Sequence, residues 1–272
     1  MKLSIIVPVF NEEATLEKCL GRVESIISKI TVFKEFEIIV VDDGSSDNTK
    51  LILHNNYENK APYLVKLSKT HIGKGQALKK GIQASTGDVV IFQDADLEYS
   101  PADYAKLLTP FFKKKAKVVY GSRFLDRETK DLHALGNKIL TVFSNLLSGT
   151  KLTDMETGLK SFRGPLIREM IIQSSGFSVE PEITAKLAKV TGLKIHEVPI
   201  SYSPRTHDEG KKIKWIDGAY AIGAILYYNI MARWDTSFKI TLPELKAKFK
   251  KDKKKKVPKK QKPSEEQTPE GS

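Results

Sequence analysis

The 272-residue sequence contains one cysteine, five histidines and no apolar run long enough to cross a bilayer. A single cysteine, Cys19, excludes an internal disulfide framework and suits a reducing compartment. The longest uncharged stretch, Gly218 to Ala232, has 15 residues, against the roughly 20 that a membrane span requires. Met1-Lys2 leads straight into Leu3-Ser4-Ile5-Ile6-Val7, too short a segment for the apolar core and cleavage site of a signal peptide. The expectation is a cytoplasmic protein, soluble or peripheral at the cytoplasmic membrane face. Also missing are Gly-x-Gly-x-x-Gly after the first strand and Gly-x-x-x-x-Gly-Lys-Ser/Thr anywhere, which excludes the dinucleotide and P-loop phosphate cradles. No Ser/His/Asp or Cys/His arrangement is apparent. The histidines (His54, His71, His133, His196, His207) show no metal-ligand spacing.

What is present is a core-forming body with a strongly basic end. Hydrophobic residues make up 40% of the chain, enough for one large domain or two small ones. The net charge of +12 suggests a nucleic acid or a membrane surface as partner. Its placement weakens the first: Lys246 to Lys262 holds eleven lysines and one aspartate, and Pro263 to Ser272 adds three glutamates, which leaves +5 for residues 1–245. No specific nucleic-acid partner is expected. Residues 236–272 read as a Lys-rich tail, with disorder expected from Leu245 onward.

Leu3–Val9 predicts a buried strand, and Asn11-Glu12-Glu13 opens a helix carrying Leu16, Leu20, Val23 and Ile27 at helical spacing. Glu37–Val41 is a second strand, Asp47–Tyr57 a helix, Tyr63–Leu67 a strand and Gly75–Ala84 a helix. Asp88-Val89-Val90-Ile91-Phe92-Gln93 is the next strand, Ser100-Pro101 caps a helix, and Val118–Tyr120 is one more strand. Near-continuous apolar strands alternating with helices predict an α/β fold, an open and mostly parallel sheet with helices on both faces. Further on, Leu135–Leu147, Glu180–Thr191 and Trp215–Trp234 read as helices and Lys194–Tyr202 as an edge strand.

In such sheets ligands sit beyond the carboxyl ends of the strands. Three strands here finish in Asn11-Glu12, Asp42-Asp43 and Asp94-Ala95-Asp96. If strand geometry persists to its end, Asp94 and Asp96 project to one side. Two converging carboxylates suit a shared hard cation, Mg²⁺ or Mn²⁺, with substrate phosphates completing its shell. Glu98 either supplies a third oxygen or merely precedes the Ser100 cap. Asp42-Asp43-Gly44-Ser45 is a turn, or it places a carboxylate against a nucleobase or ribose. His71-Ile72-Gly73-Lys74-Gly75-Gln76 brings glycines and a lysine to a helix N-terminus, as a phosphate-side loop or as ordinary loop chemistry. Arg123, after another strand end, is a candidate for pairing with phosphate. Arg205 and Gly210-Lys211-Lys212 either close over a diphosphate or form a solvated basic loop.

With these motifs in order, the sequence resembles the family 2 glycosyltransferases of the GT-A (Rossmann-like) fold, in their dolichyl- or polyprenyl-phosphate hexose synthase branch. The matching segments begin with Ile5-Ile6-Val7-Pro8-Val9-Phe10-Asn11-Glu12, Val41-Asp42-Asp43-Gly44-Ser45, Gly73-Lys74-Gly75-Gln76-Ala77-Leu78 and Gln93-Asp94-Ala95-Asp96-Leu97. They continue with Gly121-Ser122-Arg123-Phe124, Thr153-Asp154-Met155-Glu156-Thr157-Gly158-Leu159-Lys160 and Glu197-Val198-Pro199-Ile200-x-Tyr202. The resemblance implies one catalytic domain over residues 1–235, with a nucleotide-sugar half (1–125) and an acceptor half (126–235). By it, Pro8, Phe10, Glu12 and Asp43 hold the nucleoside, while Asp94, Ala95, Asp96 and Glu98 form the metal and diphosphate site. Arg123 and Arg205 contact phosphate or sugar, and Lys211 belongs to a closing loop. Two departures stand out: Glu98 replaces the glutamine common in the mannosyl branch, and Asn137-Lys138 stands where relatives carry an arginine, so Lys138 takes its place. Ile230, at the glutamine position of Gln-x-x-Arg-Trp, excludes a processive polymerase.

The implied reaction is metal-dependent, inverting transfer of a hexose from GDP-mannose or UDP-glucose to a polyprenyl or dolichyl phosphate. Asp94, Asp96, Arg123 and Asp154 are the catalytic candidates. A phosphate acceptor is anionic at neutral pH and needs no strong base, which suits the lack of a catalytic histidine. The alternative acceptor is a sugar hydroxyl of a cell-envelope glycan or glycolipid, with Asp154 or Glu156 as base. The Trp215–Trp234 helix and the lysine run share a rationale in peripheral contact with an anionic membrane, set against a core helix and a solubilising tail. Two other classes are weaker. A nucleotidyltransferase wants a Gly-rich, Arg-containing loop where this chain has Pro8-Val9-Phe10-Asn11, and a nucleic-acid-binding protein rests on the tail charge alone.

Overall fold

Strand β1 (Lys2–Val9) turns Leu3, Ile5, Val7 and Val9 into one apolar layer and Ile6 into another. A strand apolar on both sides needs cover on both, and β1 accordingly lies inside the sheet. The computed structural model describes residues 1–126, 132–205 and 215–252. The chain continues through α1 (Leu16–Ile27), β2 (Glu35–Asp42), α2 (Thr49–Asn56), β3 (Tyr63–Leu67), α3 (Lys74–Ala84) and β4 (Val89–Phe92). Then come α4 (Tyr104–Lys113), β5 (Val118–Ser122), α5 (Leu132–Ser148), β6 (Lys160–Arg163), α6 (Gly164–Ile167) and α7 (Val179–Ala188). Strand β7 (Ile195–Pro199) and helix α8 (Trp215–Leu226) follow, with a π-helical turn over Tyr227–Met231, and α9 (Leu242–Asp252) is last.

The seven strands lie in the order β3-β2-β1-β4-β6-β5-β7, all parallel except β6. The predicted α/β architecture and the edge position of β7 are as expected; β6 is not. Its four residues, Lys-Ser-Phe-Arg, show no apolar run, yet they sit between β4 and β5. The two halves of the domain therefore share one sheet. On one face α1 packs Leu16, Cys19, Leu20 and Val23 with Tyr104, Leu107 and Phe111 of α4. The other face carries Ala77, Leu78 and Ile82 of α3 with Val179, Ile183 and Leu187 of α7. Burial pushes the Cys19 thiol up to about 12, so it is an inert core residue.

The Lys-rich tail expected over residues 236–272, with disorder from Leu245 onward, instead begins as ordered structure. Phe238 is buried and stacks on Trp234, and α9 follows with Leu245 and Phe249 buried in the same layer as α3 and α7. These two residues lie one helical turn apart and face the body together. Lysine-dominated composition hid that short amphipathic signal. Residues 253–272 lie outside the described residues. Among the described residues no helix is long and apolar enough to cross a membrane.

Candidate active site

The carboxyl ends of β2, β1 and β4 are neighbours in the sheet, so Asp43, Glu12 and the Asp94–Asp96 turn meet at one edge. Asp43, 2% exposed, accepts backbone N–H bonds from Gly73 (2.6 Å) and Ile72 (3.3 Å) and meets His71 Nδ1 at 2.8 Å. Its carboxylate thus fixes the loop between β3 and α3. Gly73 has φ +122°, and a Cβ there would lie 2.5 Å from the Ser175 carbonyl oxygen, so only glycine suits this loop. Asp42 accepts from Gly44 N and Ser45 N and is a turn residue. Pro8 lies opposite Val41, and the Phe10 ring stacks on His71 at 3.7 Å. The four residues expected at the nucleoside, Pro8, Phe10, Glu12 and Asp43, lie together at these strand ends. The His71 imidazole, unassigned in the sequence reading, joins them as half of an aromatic shelf.

Strand β4 ends two residues before Asp94, so pleat alternation does not place the acidic pair. A turn does, with Leu97 at φ +66°. Ala95 is buried in the core and acts as a spacer. Lys74 Nζ lies 2.8 Å and 2.9 Å from the two Asp94 oxygens and 3.2 Å from Glu180 Oε1. Burial would lower the pKa of this ammonium, but Asp94 and Glu180 hold it above its ordinary value. The other Glu180 oxygen pairs with Lys160, which is fully buried and also donates to the Met155 carbonyl at 3.0 Å. Burial pulls the Lys160 pKa down despite Glu180. Asp94, Lys74, Glu180 and Lys160 form a row of alternating charge from β4 to β6. The sequence named neither Glu180 nor Lys160 for the site, since nothing local links them to Asp94.

Burial, reinforced by Asp94 and Glu98, raises Asp96 to about 7. A carboxylate whose charge is this costly, next to a second carboxylate, fits a hard divalent cation. Such ions commonly take one or two protein carboxylates and complete their shell with phosphate and water. The Glu98 oxygens accept from Tyr202 OH at 3.0 Å and Arg205 N at 2.9 Å, which sets this carboxylate between the acidic turn and the segment after β7. No trio of His, Cys, Asp or Glu side chains is gathered for a metal among the described residues.

Arg205 donates from Nε to the Asp96 carbonyl at 2.7 Å and from both terminal nitrogens to Glu12, at 2.6 Å and 3.2 Å. Here it straps the end of β1 to the acidic turn. Arg123 is likewise engaged. Its Nε and one terminal nitrogen form a fork to Asp154, both at 2.7 Å, and its backbone N–H meets the same carboxylate at 3.0 Å. Asp154 is fully buried within this ion pair. Lys138 Nζ lies 5.4 Å from the Phe124 ring centroid, beside Arg123. Lys211 lies outside the described residues. Among the described residues the buried Glu156 Oε1 has no hydrogen-bond partner, and burial with the Glu180 charge raises this carboxyl to about 7.

Gly158 passes so close to the acidic turn that a Cβ would lie 2.1 Å from Asp94 Oδ2, while its N–H donates to Tyr99 OH at 3.0 Å. Gly158→Ala must therefore displace the Asp94 carboxylate from Lys74. Turnover is expected to fall about 10²-fold, with a stability loss of about 1–3 kcal/mol, read by initial rates and urea denaturation.

A family model described as Glycosyl transferase family 2 matches residues 4–170. The chain belongs to glycosyl transferase family 2. That match runs from β1 past α6 and leaves Glu180 and Arg205 beyond it. An undecaprenyl-phosphate 4-deoxy-4-formamido-L-arabinose transferase of Pseudomonas fluorescens is 26% identical over 210 residues, 77% of this chain and 59% of the relative. A dolichol-phosphate mannosyltransferase of Pyrococcus furiosus is 27% identical over 219 residues, 78% of this chain and 59% of that one. The chain thus spans about three fifths of the length of the curated relatives it matches. Among solved structures, glucosyl-3-phosphoglycerate synthase of Mycobacterium tuberculosis with Mn²⁺ and UDP-glucose aligns with a TM-score of 0.62. The identity is 21%, over 85% of this chain and 80% of that one. This likeness speaks for the fold, which is GT-A.

Proposed function

We propose that this family 2 domain transfers a hexose from GDP-mannose or UDP-glucose to a polyprenyl or dolichyl phosphate, with inversion at the anomeric carbon. The observation that carries this reading is the Asp94–Asp96 turn, backed by Lys74 and set beside the Phe10–His71 shelf at the strand ends. The names of the two sequence relatives, both polyprenyl-phosphate sugar transferases, support the acceptor class. Asp94 and Asp96 would hold Mg²⁺ or Mn²⁺, which when bound stabilises charge on the departing nucleoside diphosphate. Phe10 and His71 offer a face for the base. Lys74, shared between Asp94 and Glu180, can add a donor to the diphosphate without leaving either carboxylate unbalanced. The bond from C1 to the diphosphate breaks as one from C1 to an acceptor phosphate oxygen forms. That oxygen is already anionic, so no side chain needs to take a proton.

Incubation with a panel of UDP- and GDP-sugars, Mg²⁺ or Mn²⁺ and short polyprenyl phosphates tests the reading. Glycolipid should form, disappear with EDTA and return on re-addition of metal. Equal yield in EDTA would remove the metal role of Asp94 and Asp96. A second reading, transfer to a sugar hydroxyl, is favoured by one observation: Glu156, raised to about 7, is in range to serve as a base at neutral pH. A base must be deprotonated, so such activity would rise with pH through about 7 and fall about 10²–10⁴-fold in Glu156→Gln. Under the lipid-phosphate reading, Glu156→Gln leaves this pH limb unchanged; rate–pH profiles of both proteins separate the two.

A further inference from the structure

Helix α5 shows two unlike faces. Its inner side anchors the loop that carries Asp154: Thr141 Oγ1 accepts from Met155 N at 3.1 Å, and Asn145 bonds both the N–H and the carbonyl of Leu152 at 3.0 Å and 2.8 Å. Its outer side exposes Leu135, Ile139, Val142 and Leu146, between 54% and 78% accessible. Their spacing of four, three and four puts them on one stripe. Helix α8 packs beside α5 and, with its π-helical turn, exposes Tyr220 and Leu226, then Ile230 and Met231 at 63% and 68%. Lys138 and Asp217 are the only Asp, Glu, Lys or Arg residues in these two helices and that turn. So much exposed aliphatic surface on neighbouring helices marks an interaction face.

We propose that the outer face of α5 and α8 docks on a lipid bilayer containing anionic headgroups, which extends and rests on the lipid-phosphate reading above. The segments of the sequence outside the described residues are poor in apolar side chains. Residues 127–131 are Arg-Glu-Thr-Lys-Asp, residues 206–214 contain one aliphatic residue, Ile213, and residues 253–272 contain one, Val257. The charge fits the same occupant: the eleven lysines between Lys246 and Lys262 are suited to an anionic leaflet. Position fits as well. Lys138 shares α5 with the stripe and lies over Phe124, next to Arg123. A lipid phosphate held at the headgroup level therefore has the sugar-transfer site beside it, with its hydrocarbon left in the bilayer.

The test is sedimentation of the full chain with vesicles of phosphatidylcholine and phosphatidylglycerol in equal parts. Val142→Ser with Leu146→Ser should lower the bound fraction's partition coefficient about tenfold or more. Leu51→Ser, at a 57% exposed leucine on α2, should leave it unchanged. Circular dichroism confirms that both variants fold. Vesicle binding by the double variant equal to wild type overturns the proposal. So does a wild-type dimer that ignores vesicles and becomes monomeric in the double variant, because the face then joins two copies. Transfer to a short, water-soluble polyprenyl phosphate should survive the double substitution. If no lipid phosphate is ever glycosylated but the double variant still loses vesicle binding, the acceptor reading falls and the docking face stands.

Discussion

Asp96→Asn is expected to lower transfer about 10²–10³-fold while leaving the melting temperature of the metal-free protein at or above wild type. The two outcomes share a cause. Asp96 sits in a half-buried turn between the like charges of Asp94 and Glu98, and Lys74 is drawn to Asp94. Neutralising Asp96 removes an unfavourable charge from the metal-free protein and, with it, the ligand proposed for the cation. A residue kept for function at the expense of stability gives this signature. Initial rates and thermal scans at pH 8 check it, together with the Mn²⁺ titration of each protein. A variant that kept its Mn²⁺ affinity and rate would take Asp96 out of the metal site, and one that melted early would make it structural.

Asp154→Ala should be the most destabilising single change, at about 3–5 kcal/mol, because it strands the Arg123 guanidinium in the interior. Arg123 is 8% exposed and Asp154 0%, with three hydrogen bonds between them. Removing both charges behaves differently: Arg123→Met with Asp154→Leu should recover most of the loss, since a buried pair is often replaceable by apolar groups of similar volume. Urea denaturation of wild type, both single variants and the double variant gives the coupling energy. A coupling near zero would mean that water reaches the pair. Activity should stay low in every variant, because the pair sets the backbone of the strand end next to Lys138 and the acidic turn.

The parallel core was legible because β1, β2 and β4 are apolar on both faces, a pattern that only double-sided cover satisfies. The strand ends then pointed to Asp43, Glu12, Asp94 and Asp96 without any knowledge of partners. What the sequence hid was pairing. Arg123 and Arg205 meet carboxylates 31 and 193 positions away, and nothing local in the sequence announces such a pairing. Glu180 read as one more helical residue, since periodicity assigns a face and not a neighbour. Strand β6 and helix α9 escaped for a compositional reason: Lys160 is a buried charge inside a strand, and Leu245 and Phe249 are two apolar residues in a field of lysines.

The row Asp94, Lys74, Glu180, Lys160 alternates in sign, so its formal charge sums to zero. Asp96 adds a further negative charge beside that row, so a lone diphosphate is repelled, whereas a divalent cation relieves the excess and leaves a positive charge for the diphosphate. Each should then tighten the binding of the other, and by the same factor in both directions. If Asp94 and Asp96 hold the cation as proposed, the donor should bind as its metal complex, and after transfer the nucleoside diphosphate and its ion should leave as one.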